Sequence, residues 1–441
     1  MEIKEIDPVW SRCDEPKLLK PLLGFQKEFW KKSGYKKIRT EYTKYLINKK
    51  GIFLTGFSNR LRKHFSLQVP HNTISPEPKL KGITLREDQI KLIQSAANNR
   101  RGILIAPTGS GKTVIAAGII SCMGTLKTLF LCHTITLVKQ TIDEFIKFDI
   151  GKITQVAEGV KDLSGDIVVA TIQSFANLPV EERDIFDIII VDECHHLSGE
   201  DTVYFKTLIT MTAPMRIGVT ATLPTKKESL LVMEGLLGEV LGETTLAEGI
   251  EKDFLSVPLV KLIKVGYNND VKDLHKYNDI YDVVITNSRN RNRIIINEIK
   301  KMNEQEKSTL TFITKIEHGE NLMAVAKNSC LPITFVQGST EGDVREYLRN
   351  LLHEKKIMNI LATTVFTEGV NIPSIDCIIL AGGGKSELRL LQTIGRGLRR
   401  TKDKQKVLII DFVDSAKYIS EHFCERLNVY LEKGWDLTNV D

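Results

Sequence analysis

Five consecutive residues, Gly109-Ser110-Gly111-Lys112-Thr113, combine side-chain types that can hold a chain of phosphates. The two glycines remove Cβ atoms that would keep a ligand off the backbone, so successive N–H groups of a turn can point at phosphate oxygens. Lys112 brings an ammonium on a flexible stem, and Thr113 a hydroxyl suited to a divalent cation. A second group, Asp192-Glu193-Cys194-His195-His196, opens with two carboxylates. One of them, Asp192, suits a cation held through water, and the other, Glu193, can accept a proton from an attacking water. In a third stretch, Gln392 to Arg400, Arg396 and Arg399 stand three apart and so share one face of a helix. A guanidinium delivered to a transferred phosphoryl group is typically worth ~10³–10⁵ in rate.

These groups need elements to hold them. Ile103-Leu104-Ile105 reads as a short buried strand, Ala106 to Gly111 as a tight loop, and Lys112 onward as a helix whose N-terminal partial charge favours an anion. Ala106 stands where such loops usually carry glycine, six positions before the lysine. Asp192 and Glu193 follow the apolar run Ile188–Val191, at the carboxyl end of a second buried strand. From Leu85 to about residue 255, apolar runs (TLFLCHT, DIVVATI, FDIIIVDE, RIGVTAT) alternate with helical stretches. After GLLGEVLGETT and Pro258 the alternation resumes with STLTFIT, LPITFVQ, MNILATT, DCIILAG and KVLIIDF. That pattern predicts an α/β fold with two tandem units, residues 81–255 and 256–441, each a parallel sheet covered by helices. Only the first holds the phosphate cradle.

The 441 residues carry a net charge of +6, unevenly spread. Residues 1–80 hold 17 Lys and Arg against 8 Asp and Glu, and from Lys31 to Lys63 there are eleven basic residues against the single acid Glu41. Phe25, Phe29, Trp30, Tyr35, Tyr42, Tyr45, Phe53, Phe57 and Phe65 are interleaved with them. This predicts a small folded accessory domain over 1–80 with a basic face for nucleic-acid backbone, joined by a linker over Val69–Pro78. Seven cysteines at 13, 122, 132, 194, 330, 377 and 424 form no CxxC pair, which points to a reducing compartment without a disulfide framework. No apolar run is long enough to span a membrane and no signal-peptide layout is present, so the expectation is a cytoplasmic protein, in the host cytoplasm if viral.

GSGKT, DECH, Thr220-Ala221-Thr222 and QTIGRGLRR, in this order, resemble the motif series of superfamily 2 helicases over roughly residues 81 to 413. The chain is similar to the group containing type III restriction motor subunits, XPB-like helicases and UvsW-type phage recombination helicases. The resemblance implies two RecA-like domains and an ATP hydrolase dependent on ATP and Mg²⁺, with Thr113 and Asp192 on the metal, partly through water. It implies that Gln89 reads adenine, that Pro107, Thr108, Gly109, Ser110, Gly111, Lys112 and Thr113 cradle the phosphates, and that Glu368 and Gly369 touch backbone or nucleotide. Lys112, Asp192, Glu193, Gln392, Arg396 and Arg399 are then the catalytic set. His133, Thr134, Gln140, Thr171, Gln173, Ser174, Thr314 and Thr363 face nucleic acid, and Thr220 and Thr222 couple ATP state to strand grip. Thr364 stands where many relatives have Asp, and Thr393 where many have Arg, so no charged role is carried to either.

The expected task is an ATP-dependent DNA helicase or translocase that remodels forks, D-loops and four-way junctions. Only 15 residues separate Asp376 from Gln392, too few for a long strand-separating hairpin beside the elements already there. An RNA helicase would share every motif, and a motor subunit of a restriction-type nuclease complex is the other alternative. The expected partners are branched DNA, bound without sequence preference, and candidate recombination or replication proteins, with the chain a monomer. Gly382-Gly383-Gly384-Lys385-Ser386 mimics a phosphate loop but follows a strand in the wrong register, and reads as a sharp turn. His195 and His196 lack partners at zinc spacing, and His195 is expected to hydrogen-bond across the interdomain cleft.

Overall fold

The computed structural model describes all residues except 34–35, 70–76, 246–247, 250–255, 267–270, 272–273, 364–374, 385–405 and 441. The expected linker at Val69–Pro78 lies mostly outside this set. Two compact units result, Met1–Pro107 with Gly111–Thr244, and Thr108–Ser110 with Thr245–Asp441. No helix among the described residues is long and apolar enough to cross a membrane.

In the first unit, residues before the phosphate loop form β1 (Ile3–Glu5), β2 (Trp10–Cys13), β3 (Gly24–Ser33), β4 (Lys36–Tyr45) and β5 (Ile52–Leu54). Strands β1, β2 and β5 make a small antiparallel sheet, whereas β3 and β4 pair only with each other over ten residues. Phe53, Phe57 and Leu61 are fully buried, in one apolar cluster with Leu231, Leu236 and Leu237 of the helix Lys227–Leu237. The approach is close: a Cβ on Gly56 would come within 2.1 Å of the Glu234 carbonyl oxygen.

The main sheet is built from β6 (Arg101–Ile105), β7 (Thr128–Cys132), β8 (Ile153–Ala157), β9 (Val160–Lys161), β10 (Ile167–Thr171), β11 (Ile188–Asp192), β12 (Met215–Thr220) and β13 (Val240–Glu243). Their order is β13-β6-β12-β11-β7-β10-β8-β9, parallel apart from β9. Ile188, Ile189, Ile190 and Val191 are all fully buried, the continuous apolar pattern of a strand covered on both faces. Register sets the strand ends level, with Thr220 beside Ile105, Asp192 beside Val219, and Thr171 beside Cys132. Every loop that follows these strands therefore opens at one edge of the sheet.

The second unit carries a seven-stranded, wholly parallel sheet. Its strands are β14 (Val257–Val265), β15 (Thr309–Phe312), β16 (Thr334–Val336), β17 (Asn359–Ala362), β18 (Cys377–Leu380), β19 (Lys406–Asp414) and β20 (Asp436–Val440), ordered β16-β17-β15-β18-β19-β14-β20. Buried Asp411 of β19 accepts from both the Arg426 guanidinium and the Tyr430 hydroxyl, so this interior charge is paired and fully hydrogen-bonded.

Candidate active site

The phosphate loop runs from β6 into the helix Lys112–Met123. Gly109 and Gly111 take φ of +91° and +87°, a region costly for any residue with a Cβ. A Cβ at Gly111 would also lie 2.7 Å from the Gln89 amide nitrogen. Gln89 is therefore pressed against the loop, and its Oε1 accepts from the Arg86 N–H at the start of the helix Glu87–Asn99. Ala106 is fully buried and its N–H donates to the Thr220 carbonyl at 2.8 Å. This small residue ties the loop after β6 to the end of β12.

Lys112 Nζ lies 2.8 Å from Glu193 Oε1. Glu193 adopts a left-handed conformation, φ 47° and ψ 50°, a strained arrangement for a residue with a side chain. Burial works to raise its carboxyl, but the Lys112 ammonium and His195 outweigh this and hold it below the usual carboxylate range. Asp192 moves the other way: burial, then the neighbouring Glu193 charge, pushes it up to about 7. Two adjacent partly buried carboxyls, one pushed toward neutrality, form a donor set that a divalent cation would relieve. Together with the glycine-lined loop and the Thr113 hydroxyl, these residues fit a Mg²⁺–nucleotide.

His195 Nδ1 lies 3.0 Å from Thr220 Oγ1 and 3.3 Å from Glu193 Oε2. Thr220 spends its own hydroxyl proton on the Thr222 carbonyl at 2.9 Å, so the imidazole Nδ1–H is the donor to Thr220. His195 thus joins the end of the carboxylate strand β11 to the neighbouring strand β12 within the first unit. The Thr222 side-chain oxygen is buried with no hydrogen-bond partner among the described residues.

Beyond β7 and β10 lie the residues expected to face nucleic acid. Thr134 caps the helix Ile135–Phe148, and Thr171 caps the helix Ile172–Ala176 by accepting from Ser174 N while donating to Ser174 Oγ. Gln173 is exposed, and the Gln140 amide nitrogen is buried without a partner among the described residues. Residue-type reasoning set His196 aside; its ring stacks on His133, and the adjacent HH pair was the available signal.

In the second unit, Thr314 follows β15 and is exposed, and Thr363 follows β17 with its hydroxyl buried and unpartnered among the described residues. Gly383 has φ +60°, and the carbonyls of Gly382 and Gly384 accept from the Tyr281 hydroxyl and Arg426. A cradle for phosphate needs inward N–H groups, so these glycines serve the turn. Glu368, Gly369, Gln392, Arg396 and Arg399 lie outside the described residues.

Residues 82–225 match the family described as type III restriction enzyme, res subunit, and residues 290–401 match the helicase conserved C-terminal domain. The DNA 3'-5' translocase XPB2 of Sulfurisphaera tokodaii is 29% identical over 395 residues, covering 79% of this chain and 87% of that one. The ATP-dependent DNA helicase uvsW of Enterobacteria phage T4 is 25% identical over 370 residues, 75% of this chain and 73% of that one. In fold, the chain is similar to a putative HsdR subunit fragment of a type I restriction enzyme from Vibrio vulnificus, at TM-score 0.63 and 23% identity, with 83% of this chain and 69% of that chain covered. With a glycine-lined phosphate loop, a carboxylate pair and a histidine-linked threonine at one sheet edge, the chain is an ATP-dependent helicase of superfamily 2, related to the XPB-like, UvsW-type and type III restriction motors.

Proposed function

We propose that the chain is a DNA translocase that remodels branched DNA, namely forks, D-loops and four-way junctions. The observation that carries this reading is the hairpin β3–β4, a two-stranded sheet with ten-residue arms that is rich in lysine. Ten residues of strand extend ~33 Å, and a lone two-stranded sheet is marginal in water unless its base is held. Here Lys27 reaches Glu228 at 3.2 Å and Lys44 pairs with Glu200, fixing the foot of the hairpin to the motor. DNA as the substrate is supported by the DNA translocase and DNA helicase among the relatives.

In this reading Lys112 and the loop N–H groups hold the β- and γ-phosphates of ATP while Gln89 contacts the adenine. A Mg²⁺ held by Thr113, and by Asp192 partly through water, would neutralise phosphate charge. Glu193 accepts the proton of the attacking water, its carboxylate kept ionised by Lys112 and His195. Arg396 and Arg399 stabilise charge on the transferred phosphoryl group. Thr220, held by His195 and by Ala106 across its carbonyl, passes the state of the site to Thr222. His133, Thr134, Gln140, Thr171, Gln173, Ser174, Thr314 and Thr363 contact phosphates, which carry no sequence information, so binding is sequence-independent.

The test is the ATPase rate with single-stranded DNA, linear duplex, fork, four-way junction and matched RNA. Fork and junction DNA are expected to stimulate most. Equal stimulation by RNA would overturn the DNA assignment, and a preference for plain single strands would overturn the branched one.

A further inference from the structure

The basic surplus of the N-terminal segment splits into two sets. Lys27, Lys44, Arg60 and Lys63 are paired with Glu228, Glu200, Glu234 and Glu239, which are all acids of the motor. These cations dock the segment and are spent. A second set lines an open cleft of about 950 Å³ at the foot of the hairpin, where Lys17 and Lys20 meet Lys226 and Lys227 beside Tyr45. Lys17, Lys226 and Lys227 have no acidic partner among the described residues. Of the carboxylates in the lining, Glu228 is taken by Lys27 and Glu28 by Arg39, which leaves Glu41 against four ammonium groups.

Two of these charges sit where they cost stability. Lys226 is the N-cap and Lys227 the first residue of the helix Lys227–Leu237, the end at which the helix dipole repels cations. A cation so placed is repelled by the partial positive charge of the helix end, where an anion would be favoured. An anion seated in the cleft removes that penalty. Tyr45 is 42% exposed, with Lys20 Nζ 5.5 Å from its ring centre, and offers an aromatic face next to the charges. The cleft is lined by the foot of both hairpin strands, and Lys226 follows Thr222 by only four residues.

We propose that this cleft seats the phosphate backbone of a duplex DNA arm, with Lys17, Lys20, Lys226 and Lys227 contacting phosphodiesters and Tyr45 covering a sugar. The arm is then gripped immediately beside the element that reports the state of the ATP site. This rests on the reading of the chain as a DNA motor, but not on its preference for branched substrates.

Because the N-terminal segment shares its core with the motor, the test uses the full chain with point changes. The variants are K20E/K227E and the neutral K17Q/K226Q, each checked for an unchanged thermal midpoint. Binding of labelled linear duplex, four-way junction and matched RNA duplex is followed by anisotropy between about 50 and about 200 mM salt. Each lost phosphate contact should flatten the log–log salt slope by ~0.9, so two should flatten it by nearly two. Affinity for duplex and junction should fall about tenfold or more in both variants. Unchanged slope and affinity would overturn the cleft, as would a loss confined to RNA. An equal loss on linear duplex and junction supports the cleft even where the ATPase panel rejects the branched-DNA reading, so the two stand or fall separately.

Discussion

His133 lies flat against His196, with ring centroids 3.9 Å apart and planes within 5° of parallel. His196 in turn neighbours His195 at 4.4 Å, and His195 reaches Glu193 and Thr220. A continuous row of side chains thus connects the Glu193 carboxylate with the loop after β7. Burial, followed by the charges that His195 and His133 would carry, lowers His196 to about 4, so the stack works through neutral ring contact at pH 7.

Removing the ring should therefore uncouple and not inactivate. His196→Ala is expected to leave nucleotide-only turnover nearly intact and to reduce nucleic-acid stimulation about two- to tenfold, the range of a lost aromatic stack. His196→Phe, which stacks but cannot titrate, should restore most of it. If the alanine variant kept full stimulation, or phenylalanine failed to rescue, the row would be packing alone.

Lys112→Ala and Glu193→Gln should each lower ATP hydrolysis by more than about a hundredfold while nucleic-acid binding persists. The 2.8 Å contact adds a stability consequence. Lys112→Ala leaves a partly buried carboxylate without its cation, a loss of about 1–3 kcal/mol, and adding Glu193→Gln should recover much of it. Additive losses in a double-mutant cycle of chemical denaturation would show that the two groups do not interact.

Both sheets were legible because parallel strands buried on two faces must be continuously apolar, as Ile188–Val191 are, and such runs identify themselves locally. The phosphate loop was equally plain, and full burial of Ala106 explains why a small residue suffices there. What could not be read were contacts set by tertiary approach. Lys27 and Glu228 are 201 residues apart, and no spacing announces that they will pair. The basic stretch read as one binding face for the same reason, although four of its cations dock the segment. The bond between His195 and Thr220 is of the same kind, since the two become neighbours only through the register of β11 with β12.

Gly56 offers a direct check on that docking. A Cβ there would meet the carbonyl oxygens of Glu234 at 2.1 Å and Gly235 at 2.5 Å, and backbone atoms inside a helix cannot step aside. Gly56→Ala is expected to destabilise the first unit by about 2–3 kcal/mol, a fall of several degrees in its thermal midpoint. Gly199, whose Cβ would have nothing within 4 Å, is the control and should tolerate alanine. Equal midpoints for the two variants would mean that the segment does not pack as described.

His318 predicts a pH dependence in the second unit. It is fully buried, its Nε2–H donates to Asn292 Oδ1 at 3.0 Å, and burial, then the Arg291 charge, lowers it to about 3. The unfolded chain binds its proton near pH 6.5, whereas the folded unit does not until about pH 3. Between these values the unfolded state holds more protons, so stability is complete above pH 6.5 and is lost as pH falls. At pH 5 the loss from this one group is about 2 kcal/mol, at 1.36 kcal/mol per pH unit. His318→Gln keeps an amide donor for Asn292 and removes the titration. The stability gap between wild type and this variant, measured by chemical denaturation at pH 7.5 and 5.0, should shift in favour of glutamine by that amount at the lower pH. Parallel curves would mean that His318 takes up its proton in the folded protein as readily as in the unfolded chain, and that its buried, neutral state in the second unit is wrong.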